Sequence, residues 1–388
     1  MLNRIQKLFR RRKKAEAFVF SRPLVLLQSD DWGRVGVRDR EGYEQLRANC
    51  IRLGERPYDL YTLETADDVH ALASMLGRHL DSAGHPASLV MNFCTANLDF
   101  ARMREEGYKH PLVLPLAKGL PGKWSRPGLK EAVREGIEKR VFFPALHGTV
   151  HCCPLAVEHA LAEGGERARL LQLLWDAETP YIYWRMPWVG YEYRNSERPR
   201  EGFLPFAKQC RLIKEAQSNF VDFFGAEPMS ACAPGYRANS DTCRAWSEID
   251  IRIAQNGTGD GLRPPHFDEF GLLQIYRSLD FEPSERDLET GKYLEIAGAC
   301  FSRGFPLVIS VHSINFHSTL RDFRSTTITA LDQLLTGLES KYPQLLYIND
   351  ADLHAIVTQG ALQRESEGIK VLTRRQTWSS SVMPPESV

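Results

Sequence analysis

No stretch of this chain approaches the roughly 18 consecutive apolar residues of a membrane-spanning helix, so none is expected. Net charge is missing too: 49 Lys and Arg stand against 49 Asp and Glu. The body of the protein therefore has no field to gather a polyanion, and nucleic acid is not an expected partner. The eight cysteines (50, 94, 152, 153, 210, 232, 243 and 300) lack the spacing of a disulfide framework. With no export signal they are expected as reduced thiols in a cytoplasmic protein. Cys152 and Cys153 are adjacent, whereas chelating pairs are set about two to four residues apart, so both are expected as buried small hydrophobes. Asn256-Gly257-Thr258-Gly259-Asp260 lacks both the lysine of a phosphate loop and the spacing of a dinucleotide fingerprint.

What is present is an ordinary globular composition, 43% hydrophobic and 25% charged. The 388 residues allow two domains, or one (β/α) barrel of about 250 residues with insertions. No repeat or clear linker divides the chain, which favours one domain over residues 18–360. Basic charge gathers at the start, in Arg4, Lys7, Arg10, Arg11, Arg12, Lys13 and Lys14 with no acid among them. Ala15–Phe20 is too short and too acidic to be the apolar core of a signal peptide. Residues 1–17 are expected as a basic tail. It is either solvated or, through Leu2, Ile5, Leu8 and Phe9, in weak contact with anionic lipid at the inner face of a membrane. Residues 361–388 are polar and expected to be disordered.

Between the tails, strands and helices alternate, the pattern of a parallel sheet. Strands are expected at Leu24–Ser29, Ala87–Cys94, Val141–Leu146, Met229–Ala233, Ile249–Ala254, Leu272–Tyr276, Leu307–Val311 and Leu345–Ile348. Thr65-Ala66-Asp67-Asp68 reads as a capping box opening a helix with Val69, Leu72, Leu76 and Leu80 on one side. Further helices are expected at Leu129–Lys139, Pro154–Trp175 (broken at Gly164-Gly165), Phe206–Phe224, Gly291–Arg303, Thr327–Ser340 and Asp350–Thr358. Residues 180–205 are rich in rings and arginine, with Tyr181, Tyr183, Trp184, Tyr191 and Arg185 among them. They suit a packed excursion, or a wall for a flat ligand such as a sugar.

Two clusters carry chemistry. Asp30-Asp31 closes the expected buried strand Leu24–Ser29, where two carboxylates would otherwise be costly. His147-Gly148-Thr149-Val150-His151 follows the run Val141–Leu146. Both lie at the C-terminal ends of strands, where α/β folds place their sites. Two imidazoles and a carboxylate converging there make a metal site with an open position, and a neighbouring carboxylate can activate water. A third apolar run ends at His312.

This order resembles the NodB-type polysaccharide deacetylases (carbohydrate esterase family four) over roughly residues 20–358. Its first motif, Thr-Phe-Asp-Asp-Gly, corresponds to Gln28-Ser29-Asp30-Asp31-Trp32-Gly33, and its His-Ser/Thr-x-x-His to His147–His151 with Gly148 in the hydroxyl place. The resemblance implies a distorted (β/α) barrel with Asp30 as catalytic base and Asp31, His147 and His151 as ligands of one divalent metal, most simply Zn2+. Its third motif corresponds to Cys232-Ala233-Pro234-Gly235-Tyr236, with Pro234 and Tyr236 near the oxyanion. Cys232 stands where the family keeps an arginine that orients the base, and Arg237 is the nearest substitute. The Leu-x-His motif becomes Ser310-Val311-His312, with His312 as catalytic acid. No Asp-Trp partner for that histidine is evident. Asn97, at the tip of the second strand, is a candidate substrate contact, while His317 suits either a supporting or a loop role.

The activity implied is hydrolysis of an N- or O-acetyl group on a carbohydrate, such as a cytoplasmic glycan precursor. The alternatives are a degenerate, non-catalytic carbohydrate-binding or scaffold protein on the same barrel, and a related amidase or glycoside hydrolase. Glycoside cleavage calls for a second carboxylate across the bond from Asp30, and none is in register.

Overall fold

Nine consecutive buried residues, Leu24–Trp32, form the central strand. The computed structural model describes residues 14–196, 202–259, 261–287, 289–362, 369–371 and 373–379. Its strands are β1 (Lys14–Phe20), β2 (Leu24–Trp32), β3 (Leu89–Phe93), β4 (Phe142–Leu146), β5 (Ser230–Cys232), β6 (Ile253–Asn256), β7 (Leu273–Tyr276), β8 (Leu279–Asp280), β9 (Leu307–His312), β10 (Leu346–Ile348) and β11 (Thr373–Ser379), with shorter ladders besides. β9, β2, β3, β4, β5, β6 and β7 lie side by side, each parallel to the next.

The sheet closes on itself between β7 and β8. The Arg277 N–H bonds the Asn256 carbonyl of β6 at 3.1 Å, and the next N–H, of Ser278, bonds the Val308 carbonyl of β9 at 2.8 Å. β8 then runs parallel to β9. One bent segment thus leaves one edge of the sheet and joins the other, which makes a distorted barrel of the deacetylase type. β10 flanks only the start of β2, pairing Leu24–Leu26, and β3 takes over from Leu27.

Most elements fall where the sequence pattern puts them. Thr65 caps Ala66–Leu76 and Asp68 returns the bond to the Thr65 N–H at 2.9 Å. The glycine pair at 164–165 separates helices Pro154–Glu163 and Gly165–Asp176. Helix Phe206–Phe224 has the expected bounds. Leucines, valines and phenylalanines of Ala66–Leu76, Leu129–Glu138, Thr290–Ser302 and Arg324–Lys341 bury one face of the barrel strands.

The tails differ from expectation. β1 starts at Lys14 and pairs antiparallel with β11 along its whole length, Lys14 with Ser379 through Phe20 with Thr373. Neither 14–17 nor 373–379 is therefore a tail. Thr-Arg-Arg-Gln-Thr-Trp-Ser carries no apolar alternation to mark it, but an edge strand needs only its backbone and tolerates charge. Residues 1–13, with the expected lipid contact, and 380–388 lie outside the described residues. Among the described residues no helix is long and apolar enough to cross a membrane.

Candidate metal centre

Consecutive strand residues point to opposite faces, so two adjacent aspartates cannot both face one site in a regular strand. Here β2 breaks its register against β3: Ser29 pairs Met91 and Trp32 pairs Phe93, leaving Asp30 and Asp31 opposite Asn92 alone. This is a bulge, a device that re-aims side chains, and Asp31 takes the left-handed conformation, φ +72°. Its carbonyl accepts the Tyr61 hydroxyl at 2.7 Å and that of Ser313 at 3.3 Å.

Asp31, His147 and His151 meet. Asp31 Oδ1 lies 3.1 Å from His151 Nε2 and 3.5 Å from His147 Nε2. Donors on a tetrahedral ion at about 2.0–2.1 Å would stand about 3.3 Å apart. One donor atom from each of the three residues lies within 4.8 Å of the others. Asp31 Oδ1 and His147 Nε2 are buried without any hydrogen-bond partner, an expensive state for polar atoms unless something else occupies them. The far nitrogens are engaged, as they should be in ligating histidines: His147 Nδ1 lies 2.9 Å from the Cys232 carbonyl, and His151 Nδ1 lies 3.1 Å from the Tyr181 hydroxyl. Arg34 ties the shell together, donating to Asp31 Oδ2 at 3.0 Å and to Tyr181 at 2.9 Å. Burial pushes the Asp31 carboxyl up, but Arg34 and His151 outweigh it and hold the group well below the usual carboxylate range. Burial, helped by Arg34, lowers His151 to about 3, so its ring is neutral and free to ligate at neutral pH. The residues present fit a divalent ion.

The loop between the histidines explains Gly148. It sits at φ +78°, and a Cβ there would overlap the Glu192 carboxylate. Glu192 occupies the space of the family's hydroxyl residue and receives the Thr149 N–H at 2.9 and 2.7 Å on its two oxygens. Burial raises this acid to about 7 despite those bonds. Gly148→Ser is expected to weaken affinity for a divalent ion about 10–100-fold by displacing the loop. Adding Glu192→Ala should recover part of the loss. Competition titration reads both, and an unchanged affinity in Gly148→Ser would refute the bracing role.

Asp30 and His312 lie next to the trio. Register places His312 directly across from Asp30 on β9, with Nε2 3.9 Å from Asp30 Oδ2. Arg237 does not supply the missing arginine: its guanidinium lies over the Tyr191 ring at 5.8 Å. Arg277 supplies it, from the closing bend. It grips Asp30 bidentately at 2.6 and 2.7 Å and also donates to Ser310 at 2.8 Å. Burial would raise Asp30, yet Arg277 carries it below the ordinary carboxylate range. The short Cys232 leaves this guanidinium room, with Sγ 3.9 Å from it.

His312 also has a carboxylate partner. Glu282 accepts from Nδ1 at 2.7 Å and is itself held by the Asn315 amide at 2.6 Å. Burial lowers His312, but Glu282 wins and raises it to about 10. Arg277 and Glu282 carry no motif signal. Their one trace in the sequence is charge around the apolar pairs of β7 and β8.

Three other candidates move. Asn97 spends both polar ends on backbone, accepting the Val35 N–H and donating to the Gly33 carbonyl, each at 2.9 Å. It clamps the turn after β2 and does not line the cleft. Pro234 is buried at the head of a short turn and also does not line it. Tyr236 does, but its N–H is given to the Ala233 carbonyl at 2.8 Å and its hydroxyl receives Arg277. His317 is buried beside Glu64 at 3.7 Å, and Glu64 in turn holds the Gly33 N–H at 3.0 Å. Above the site opens a cleft of ≈ 660 Å³ with Arg34, Tyr58, Tyr61, Tyr181, Trp184 and Tyr191 in its walls. The aromatic excursion is therefore both packing and wall. All eight cysteines are free, with Cys152 and Cys153 buried as expected.

The fold is of the type seen in NodB-type polysaccharide deacetylases, and solved structures resemble the chain at low identity. A protein provisionally named a glycoside hydrolase/deacetylase, from Parabacteroides distasonis, aligns with a TM-score of 0.50 and 12% identity over 89% of this chain and 73% of its own. A provisionally named polysaccharide deacetylase from Mycobacterium smegmatis gives 0.43 and 10% over 89% and 93%. A carbohydrate esterase family 4 pseudoenzyme from Bacillus anthracis gives 0.36 and 8% over 86% and 66%. The sequence matches no family model and no curated protein.

Proposed function

We propose that the protein is a metal-dependent hydrolase that removes acetyl groups from an N- or O-acetylated carbohydrate. The observation that carries this reading is the convergence of Asp31, His147 and His151, with Asp31 Oδ1 and His147 Nε2 buried and unpartnered, beside Asp30 and His312. A divalent ion held by the trio, Zn2+ by the nature of its donors, would act as a Lewis acid on a carbonyl oxygen and acidify water. Asp30 is ionised at neutral pH and placed to take a proton from the attacking water. His312 is protonated there, and placed to give one to the departing amine or alcohol. Arg277 orients the base and Glu282 the acid. The two departures that would favour a degenerate binding protein, Cys232 and the lack of an Asp-Trp motif, are both offset by residues of the closing segment. A cytoplasmic setting, with residues 1–13 touching anionic lipid, is part of the proposal and is checked by cell fractionation.

Zn2+ titration of the metal-free protein should show one equivalent bound, with His147→Ala losing it and with acetate released from an acetylated sugar by the loaded protein alone. One equivalent bound without acetate release from any acetylated sugar would favour the non-catalytic reading, and no stoichiometric binding would sink both the centre and the activity.

A further inference from the structure

We infer that Asp350 is a positioning residue for the proposed reaction: through the amides of Gln28, Gln255 and Asn92 it fixes how Arg277 and the Asp30 carboxylate meet. The inference rests on the hydrolase reading and adds to it a group that no motif marks.

Asp350 follows β10 as the first residue of the helix Asp350–Gln359. An acid at that place commonly serves the helix N-terminus from the surface. This one is fully buried, and Asn349 does the capping, accepting the Asp352 N–H at 3.0 Å. Both Asp350 oxygens are given to side chains from barrel strands. Oδ1 accepts from the Gln28 amide of β2 at 3.0 Å, and Oδ2 from the Gln255 amide of β6 at 2.8 Å.

A side-chain amide has a donor end and an acceptor end, so a neighbour whose two oxygens both accept decides which way it points. With their NH2 groups drawn to Asp350, Gln28 and Gln255 turn their oxygens to Arg277, which has donors only. Gln28 Oε1 lies 3.3 Å from Arg277 Nε, and Gln255 Oε1 lies 3.4 Å from Nη2. The choice passes one step further. Gln255 and Asn92 exchange two amide bonds, at 2.7 and 2.9 Å, and the Asn92 NH2 then reaches Asp30 Oδ1 at 2.6 Å. One carboxyl group thus sets both the guanidinium and the amide that hold Asp30, while its bonds run to neither histidine of the metal trio.

Asp350→Asn tests this, because its side chain has one oxygen for two amide donors. One glutamine must turn its NH2 toward the guanidinium or lose its partner. In the Zn2+-loaded full chain kcat should fall about 100-fold, the cost of misplacing a reacting group by about 1 Å. KM and the bound equivalent of Zn2+ should stay as in the native protein. para-Nitrophenyl acetate should lose as much as the N-acetylglucosamine tetramer, since both need the base. Adding Gln28→Glu moves the carboxyl to the other side of the same contact, where it accepts from both the new amide and Arg277. This double variant should regain most of kcat, whereas Gln28→Glu alone sets two carboxyls against each other and should be slow. A native kcat in Asp350→Asn, or a double variant no faster than Asp350→Asn, overturns the inference and leaves the hydrolase reading intact.

A native protein that releases acetate from neither compound sinks the hydrolase reading. The hold on Arg277 is read without activity, by NMR of isotope-labelled arginine. Exchange of the Arg277 Nε–H with water should speed about tenfold in Asp350→Asn, the worth of one hydrogen bond, and an unchanged exchange rate overturns the positioning role. Gln28→Met, which cuts one relay and keeps the carboxyl, should likewise lower kcat and speed exchange, and serves if Asp350→Asn does not fold.

Discussion

Arg277→Met is expected to destabilise the protein by about 3–5 kcal/mol, because it leaves the Asp30 carboxylate charged and alone inside the barrel. Arg237→Met, the change at the arginine nearest in sequence to the third motif, should cost about 0.5 kcal/mol or less. Urea unfolding measures both. The pH dependence gives a sharper reading. In the native protein Asp30 is held below its unfolded value, so its contribution is present above that value and fades as pH falls through the folded one. Without Arg277, burial dominates and the folded value rises above the unfolded one, so acid favours the folded variant. The stability gap between the two proteins should therefore narrow as pH falls from neutral toward about 4. A gap that stays constant would show that Arg277 acts by packing alone.

His312→Ala should lower the rate on an acetamido sugar about 10²–10⁴-fold, the usual worth of a positioned acid. An activated aryl acetate, whose leaving group needs no proton, should lose far less. Equal losses would make His312 a positioning residue. Glu282→Gln tests the same proton from behind. The acid must be protonated to work, so activity falls as pH rises through its pKa. Glu282 holds that value at about 10. Removing its charge should bring the basic limb down by about 1–3 pH units.

The groups at the strand ends were legible because each follows an apolar run that a bare carboxylate or imidazole would spoil. Asp30, Asp31, His147, His151 and His312 all carry that signature, and the structure brings them together. Their supports were not legible. Glu192 comes from the excursion, Tyr181 from the same stretch, and Arg277 and Glu282 from a seam with no motif of its own. Such residues act through distances set by the closed barrel, and spacing along the chain does not encode those distances. The missing arginine shows this well. Its charge was predicted from the wrong position because a guanidinium reaches its carboxylate across the fold, from any strand end that faces inward. Asn97 erred the other way: a polar tip residue reads as a ligand contact until both its ends are seen holding backbone. The edge strand Thr373–Ser379 was missed because its pairing uses main-chain groups, which every sequence possesses.

The seam between β7 and β8 joins two tasks. Residues 277–282 hold the guanidinium that grips Asp30 and the carboxylate that pairs with His312, and the same residues zip the last edge of the barrel. A chain that has folded every other strand still has an unsupported Asp30 and a His312 without its counter-charge. On the hydrolase reading proposed above, competence and ring closure would be a single event: a nascent or partly opened chain would be silent as a catalyst, and acetate release would report that the circle of strands is complete.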